Sequence, residues 1–283
     1  MQVLDLCRDK LRELIRSYDL AADDVEVVTA RPLAPEEAIG SPTRRDFPLL
    51  KGKEVMIQAR FRDSSGQAYT DMPAPFQGRL ADVIALPLRS NYERAVFVAT
   101  CNAVMRHLGL VDHTIHCRDN EPEECARLLR ERVKQLTAGR ASCGAGAESR
   151  CTTAATQPDE RADERDEEAS GQRQALPRVA VIGLQPAIVS ALAGAGCFQV
   201  RVTDMDPANI GTAREGVTVE SADRNPEVIG WADLVLPTGT VLANGTADGL
   251  LAVLNGKPII FYGVTAAGPA RLMGYERFCP RSR

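Results

Sequence analysis

The sequence predicts an α/β protein with a mostly parallel sheet in its carboxy-terminal part and a smaller α+β unit before it. The first observation is an alternation of apolar and helical segments after residue 177, beginning with "RVAVIG" and "PAIVSALAGAG". Strands that are nearly all apolar and alternate with helices are typical of a parallel sheet covered on both faces. The second observation is a helix followed by short strands in residues 1–85. The later part is therefore predicted to be Rossmann-like, with ligands at the carboxyl ends of its strands.

The amino-terminal unit begins with an amphipathic helix, "MQVLDLCRDKLRELIRSY", which is too charged for a signal peptide. The segments "DVEVVTARPL", "EVMIQARFRD" and "AYTDMP" have the composition of strands. Between the last two, "RDSSGQAY" is typical of a hairpin turn, in which Gly66 would supply a positive φ. This order predicts a helix and an antiparallel meander that end near residue 85.

Two helices and a short strand are predicted between the two parts. "SNYERAVFVATCNAVMRHLG" has a capping box of Ser90 and Glu93, and Gly109 is placed to end the helix. "DHTIHC" has the composition of a short strand, and "DNEPEECARLLRERVKQL" that of a second helix.

Residues 138–176 interrupt the carboxy-terminal part. Their sequence is rich in Ala, Gly, Ser and mixed charge and lacks large apolar residues, so burial cannot offset the entropy of ordering them. We expect a flexible linker, with Cys143 and Cys151 as chance thiols inside it.

Composition excludes several classes of function. The chain of 283 residues is 44% hydrophobic and 25% charged, as is usual for a soluble globular protein. A formal net charge of -4 does not support nucleic-acid binding, and no apolar run is long enough to predict a membrane span. Eight dispersed cysteines do not form a disulfide scaffold, so we expect a cytoplasmic protein with a small-molecule or metal ligand. A homo-oligomer is compatible with these features, and they leave open whether the protein is an enzyme.

Small polar residues follow two neighbouring strands, at the ends where ligands bind. "ADLVLPTGTVLANGT" and "FYGVTAAG" place hydroxyls, an amide and bare backbone there, which suits close approach to a small polar ligand. Capping of the next helix is the alternative role for Thr246, but it does not explain the others. The candidate ligand-binding residues in these loops are Thr238, Gly239, Thr240, Asn244, Gly245, Thr246, Gly263 and Thr265.

The first strand of this part runs into "VIGLQPAI", which is not the dinucleotide-binding fingerprint because Gly183 is its only glycine. The turn still delivers a helix amino terminus, which favours anionic groups, so Gly183 is a candidate ligand-binding residue. Asp204 ends the second strand, where such folds place a ribose-binding acid. In "TDMDPANIG", Asp204, Asp206 and Asn209 have either a ligand-binding role or a local role in a turn. An enzyme that uses a nucleotide-like cofactor such as S-adenosylmethionine is therefore one alternative function. A protein-binding scaffold without catalytic activity is another.

The candidate metal ligands lie in "DHTIHCRDNEPEEC" and near the end of the sequence. His116 and Cys117 have ligand chemistry suited to soft or borderline ions, although the spacing is not that of a zinc finger. On a strand they would point to opposite faces, so both would bind one ion only at a bend. Cys279 is a distant thiol candidate, whereas Cys125 is explained equally well by packing in its helix.

Several of these motifs together resemble a known family. "HCRDNEPEECA", "TDMDPANIG", "LPTGTVLANGT", "FYGVTAAGPARLMGYERFCP" and "VFVATCNAV" are similar to the putative heavy-metal chelation family of prokaryotes. The resemblance spans residues 86–283 apart from the linker, and residues 1–85 resemble its companion domain, whose fold is similar to the amino-terminal domain of enolase.

The resemblance implies a Rossmann-like domain and an enolase-like domain that enclose a cleft for a transition or heavy metal ion or a metal-containing ligand. It implies no enolase chemistry, because fold does not carry function. The sequence departs from the family's pattern in its long 137–177 segment and its short tail "FCPRSR". Matching positions for the cleft are Asn102, Cys117, Asp204, Asp206, Asn209, Thr238, Gly239, Asn244, Thr246, Gly263, Thr265 and Cys279.

Overall fold

A computed structural model describes residues 2–20, 27–51, 54–141 and 175–283 of the chain. The second of the two central helices extends to Ala141, further than the sequence predicted. Most of the predicted linker, with Cys143 and Cys151, lies outside the described residues.

The amino-terminal part combines helices with an antiparallel sheet. Within the described residues, four strands pair in the order β3-β2-β1-β4, which confirms the predicted meander. The amphipathic first helix buries its apolar side, including Leu4, Leu11 and Ile15. The elements are α1 (Gln2–Ser17), β1 (Val27–Pro32), α2 (Pro35–Ile39), α3 (Pro48–Lys51), β2 (Val55–Phe61), β3 (Ser64–Thr70), β4 (Phe76–Arg79) and α4 (Leu80–Ala85).

Gly66 has a different role from the one predicted. The hairpin turns at Arg62 and Asp63, while Gly66 lies inside β3 and does not have a positive φ. A Cβ atom at Gly66 would come within 2.4 Å of both Ala99 O and Ala103 N, in the backbone of the following long helix. The residue is glycine because the helix packs directly on the strand at this point.

Two long helices follow, α5 (Asn91–His107) and α6 (Glu121–Ala141). The predicted capping box at the start of α5 is confirmed, since Glu93 N donates to Ser90 Oγ and the Glu93 carboxylate accepts from Ser90 N. Between the helices, "DHTIHC" is not a strand, and that prediction is wrong. Its backbone bonds go to separate partners, with Gln67 on β3 and Arg283 in the tail, rather than to one neighbouring strand.

The carboxy-terminal part contains the predicted parallel sheet. Within the described residues the strand order is β7-β8-β6-β5-β9, parallel except at the β7 edge, and bridges from β9 add β10 and β11 in parallel. The elements are β5 (Arg178–Ile182), α7 (Pro186–Ala193), β6 (Gln199–Asp204), β7 (Ala213–Arg214), β8 (Val217–Ser221), α8 (Asn225–Trp231), β9 (Leu234–Pro237), α9 (Thr240–Ala243), α10 (Ala247–Ala252), β10 (Ile260–Tyr262), α11 (Ala267–Met273) and β11 (Glu276–Phe278).

Helix α5 links the two sheets, because it contacts β2 and β3 on one side and α9 and α11 on the other. Its residues from Arg94 to Met105 are all buried, and many belong to a hydrophobic core shared with both parts of the chain. The mixed α/β fold class is thereby confirmed. None of the described helices combines the length and the apolar character needed to cross a membrane.

Candidate functional site

The site is built around a cavity of about 650 Å³ at the carboxyl ends of the parallel strands. Its lining comes from the open end of the β2–β3 hairpin, the segment around Phe47, the segment from His116 to the start of α6, and the loops after β5, β6, β9 and β10. Cavities of about 300–1,000 Å³ are typical of small-molecule sites. Most of the predicted ligand-binding residues line it, namely Gly183, Asp204, Asp206, Asn209, Thr238, Thr240, Asn244, Thr246 and Gly263, together with the predicted metal ligands His116, Cys117 and Cys279.

Two carboxylates that the sequence analysis did not single out lie at the open end of the β2–β3 hairpin. Val55 pairs with Thr70, so Glu54 and Asp71 stand opposite each other just beyond the last pair. Both line the cavity. Burial, reinforced by the nearby charges of Asp204, Asp71 and Asp206, raises the pKa of Glu54 to about 7. Near neutral pH this carboxyl group is therefore part protonated and can donate or accept a hydrogen bond.

Asp204 organises its own loop. One carboxylate oxygen accepts a hydrogen bond from Leu184 N at 2.6 Å, and the other accepts from Asp206 N at 2.7 Å and Asn209 Nδ2 at 3.3 Å. These bonds tie the end of β6 to the turn after β5, where Gly183 has a φ of 90° and packs against Thr238. Asp204 thus holds the edge of the cavity in shape.

The Thr and Asn loop forms the cavity floor through its own polar contacts. Thr240 N donates to Thr238 Oγ1 at 3.3 Å, and the two hydroxyls are 3.1 Å apart. Thr246 is at the N-cap position of α10 but makes no side-chain cap, since its hydroxyl donates to Asn244 Oδ1 at 2.7 Å. Capping is therefore not the role of the Thr246 hydroxyl.

Four of the predicted residues are not in the cavity lining: Asn102, Gly239, Gly245 and Thr265. Asn102 is fully buried, and its amide donates to Gln67 O at 2.9 Å and Val264 O at 3.1 Å while accepting from Gly268 N at 2.6 Å. Thr265 Oγ1 accepts from Tyr69 N, and the two glycines pack against the Thr265–Ala266 backbone and the Arg94 guanidinium. The structure places these residues behind the cavity wall, where they hold the loops.

Three thiols converge on one wall of the cavity, those of Cys117, Cys125 and Cys279. The pKa of Cys125 is raised to about 12, chiefly by its interaction with the neighbouring Cys117 thiol. The interaction with Cys125, together with burial, holds the pKa of Cys279 well above its ordinary value. The three thiols are therefore neighbours, with Cys125 interacting with both of the others.

His116 lies beside the thiols, but both of its ring nitrogens form hydrogen bonds within the protein. Burial lowers the pKa of His116 to about 4, so the ring is neutral. Nδ1 lies 2.6 Å from Cys117 O, and Nε2 lies 3.2 Å from the Tyr69 hydroxyl. The ring therefore donates from Nδ1 and accepts at Nε2, which orients it without directing a free nitrogen toward the cavity.

No group of three or more His, Cys, Asp or Glu side chains among the described residues is already arranged around a metal position. A metal ion at this wall would have to displace the thiol protons and draw each sulfur to about 2.3 Å from the ion. The short tail does not leave Cys279 loosely placed, because Arg283 and Ile115 exchange both backbone hydrogen bonds, at 2.7 and 2.8 Å.

Cys125 and Glu54 belong to the site, but their spacing in the sequence did not predict it. Cys125 is the fifth residue of α6, eight residues beyond Cys117 and across an irregular loop, so only the helix start at Glu121 indicates that the two approach. Glu54 and Asp71 could have been paired from the register of the hairpin, had its turn been placed correctly.

Comparison with known proteins gives a family match and low structural similarity. Residues 171–273 match the model of the DUF364 family, described as putative heavy-metal chelation. A structure of a DUF364 protein with unknown function from Pyrococcus horikoshii is 13% identical, with a TM-score of 0.46 over 93% of this chain and 79% of that one. A second, from Desulfitobacterium hafniense DCB-2, is 13% identical, with a TM-score of 0.44 over 77% and 72%.

A D-isomer specific 2-hydroxyacid dehydrogenase from Xanthobacter autotrophicus Py2 is 20% identical, with a TM-score of 0.31 over 59% of this chain and 53% of that one. No curated protein matches the sequence. The family match includes the loops after β5, β6, β9 and β10, whereas Cys117, Cys125 and Cys279 lie outside its range. The resemblance of this chain to the putative heavy-metal chelation family is therefore confirmed, over residues 171–273.

Proposed function

We propose that the protein binds a thiophilic metal ion, carried by a small-molecule ligand, in the 650 Å³ cavity. Cys117, Cys125 and Cys279 bind the metal, and the polar loops hold the ligand. In this proposal residues 1–85 form an enolase-like domain and residues 86–283 a Rossmann-like domain, with the cavity as the cleft between them. The protein works in the reducing cytoplasm, where the thiols stay free.

The convergence of three thiols on one cavity wall is the observation that carries the proposal. Thiolates are preferred ligands of zinc and copper(I), and three protein ligands leave a coordination position for another molecule. With both nitrogens of His116 engaged, that position belongs to an atom of the bound ligand.

The size and charge of the cavity support a ligand larger than a bare ion. Three thiolates and one ion need only a small part of the volume, and Phe47, Leu49 and Ile188 supply apolar surface for the remainder. Glu54 and Asp71 add carboxyl groups to the lining. Their charge favours a cationic or hydrogen-bond-donating group on the ligand.

The proposal is tested by zinc titration of the reduced protein against a competing chelator. Cys117→Ser, Cys125→Ser and Cys279→Ser should each weaken zinc binding by at least about tenfold, or roughly 1.4 kcal/mol. Cys197→Ser is the matched control, because Cys197 is also half-buried but does not line the cavity, and it should bind zinc like the wild type. If none of the three cavity substitutions weakens binding by tenfold, the thiol site is wrong.

A second measurement identifies the natural occupant. Protein purified without an affinity tag is subjected to elemental analysis, and small molecules released from it are identified by mass spectrometry. A soft metal in stoichiometric amount with a co-purified organic ligand is the expected result. Recovery of an organic ligand without metal would contradict the role given to the thiols.

A further inference from the structure

The tail of the chain carries Cys279 in a tight turn that lies on helix α6. Ser282 N donates to Cys279 O at 3.3 Å, and the Ser282 hydroxyl donates to the same oxygen at 2.5 Å, which closes the turn. Inside it, Arg281 N donates to Cys125 Sγ at 3.3 Å. The turn therefore rests directly on the Cys125 sulfur, and the Cys279 thiol is a neighbour of that sulfur on the same cavity wall.

Ion pairs from the tail keep this arrangement in place. The Arg281 guanidinium binds Glu124, and the Arg283 guanidinium binds Glu121 at 2.9 Å, so both contacts are with the first turn of α6. Cys125 follows Glu124 directly on the same helix. These ion pairs hold the tail against the start of the helix that carries Cys125.

We propose that Cys125 and Cys279 form a reversible disulfide when the protein meets a peroxide. Its effect on the metal site rests on the proposed function, because the disulfide would remove two of the three thiol ligands and leave Cys117 alone. The covalent bond itself does not depend on that function.

Cys279 is a better partner for Cys125 than Cys117 is. A disulfide needs Cα atoms about 4.4–6.8 Å apart and Cβ atoms directed toward each other, so a cysteine whose backbone can shift forms one more readily. Cys117 is only 3% exposed and follows His116, whose ring and backbone are both hydrogen-bonded. Cys279 is half-buried in a short surface turn, which can shift with less loss of packing.

The oxidation balances with a peroxide as the only co-reactant. One of the two cysteines, in its deprotonated thiolate form, attacks the O–O bond and becomes a sulfenic acid, releasing water or an alcohol once the leaving oxygen is protonated. The sulfur of the second thiol then attacks the sulfenic sulfur, forms the S–S bond and releases water. The two thiols lose two electrons and two protons, and the peroxide is reduced by two electrons. A small dithiol reverses the reaction by thiol–disulfide exchange.

The test begins with metal-free full-length protein carrying Cys143→Ser and Cys151→Ser, so that those two thiols cannot contribute. After treatment with hydrogen peroxide, free thiols are alkylated and the protein is digested without reduction for mass spectrometry. The expected product is a linked peptide pair joining Cys125 to Cys279, which dithiothreitol separates. Absence of this pair, or a link from Cys125 to Cys117 in its place, overturns the inference.

Variants then separate this inference from the proposed function. Cys125→Ser and Cys279→Ser should each abolish the linked pair, while Cys117→Ser and Cys197→Ser should retain it. In the parent protein, oxidation should weaken zinc binding by at least about tenfold, and dithiothreitol should restore it. If the disulfide forms but the reduced protein never binds zinc, the proposed function fails and the disulfide stands. If the reduced protein binds zinc and the disulfide does not form, only the inference fails.

Discussion

Replacing Asn102 by Ala should destabilise the protein without a direct effect on ligand binding. The side chain is fully buried in α5, and its hydrogen bonds join the helix to β3 and to the loop after β10. Alanine would leave Gly268 N and at least one buried carbonyl without a partner. The same change at Asn244, which lines the cavity, is the matched comparison.

The magnitude follows from the groups that lose their partners. Each buried polar group without a hydrogen bond costs about 1–3 kcal/mol. One N–H and one carbonyl near the middle of that range, partly relieved by relaxation, give a loss of about 3 kcal/mol for Asn102→Ala. For a chain of this size that corresponds to a fall in Tm of roughly 6–12 °C. Asn244→Ala removes the acceptor for Thr246 at a half-buried site and should cost about 1 kcal/mol.

Urea denaturation followed by circular dichroism measures both losses, and calorimetry with the co-purified ligand measures binding. We expect Asn102→Ala to lose stability but to keep its ligand affinity in the folded state. Asn244→Ala should lose ligand affinity and only about 1 kcal/mol of stability. A change below about 1 kcal/mol for Asn102→Ala, together with weaker binding, would refute the structural role given to this amide.

Three further outcomes are expected. Gly66→Ala should lose about 3 kcal/mol or more in urea denaturation because its Cβ would clash with the backbone of α5, whereas Gly249→Ala, with open space around it, should be neutral or stabilising. Folding raises the pKa of Glu54 from 4.5 to about 7, so the free energy of unfolding of the wild type should fall relative to that of Glu54→Gln as pH rises through this range. A difference in stability between the two proteins that does not change with pH would contradict this. Zinc affinity should decrease toward acid pH, measured by competition, because binding displaces thiol protons.

Local patterns were sufficient for most of the secondary structure. The capping box of α5 and the alternation of apolar strands with helices depend on neighbours along the chain, and both predictions are confirmed. The turn of the β2–β3 hairpin was predicted at the wrong residues because Gly66 was assigned to the turn. Glycine is needed at this position because α5 packs closely against β3, a tertiary contact that local turn patterns do not reveal. "DHTIHC" was taken for a strand because its composition suits one, but its backbone groups bond to separate partners, Gln67 on β3 and Arg283 in the tail.

What the sequence by itself determined is the end of the sheet at which polar residues collect, because parallel strands all present their carboxyl ends to one edge. Which of those residues line the cavity was decided by the tertiary structure. Asn102 and Thr265 are turned into the wall, because buried backbone groups in the loops need hydrogen-bond partners. Cys279 joins Cys117 and Cys125 because the tail folds back onto α6, a contact between segments more than 150 residues apart that no local pattern encodes.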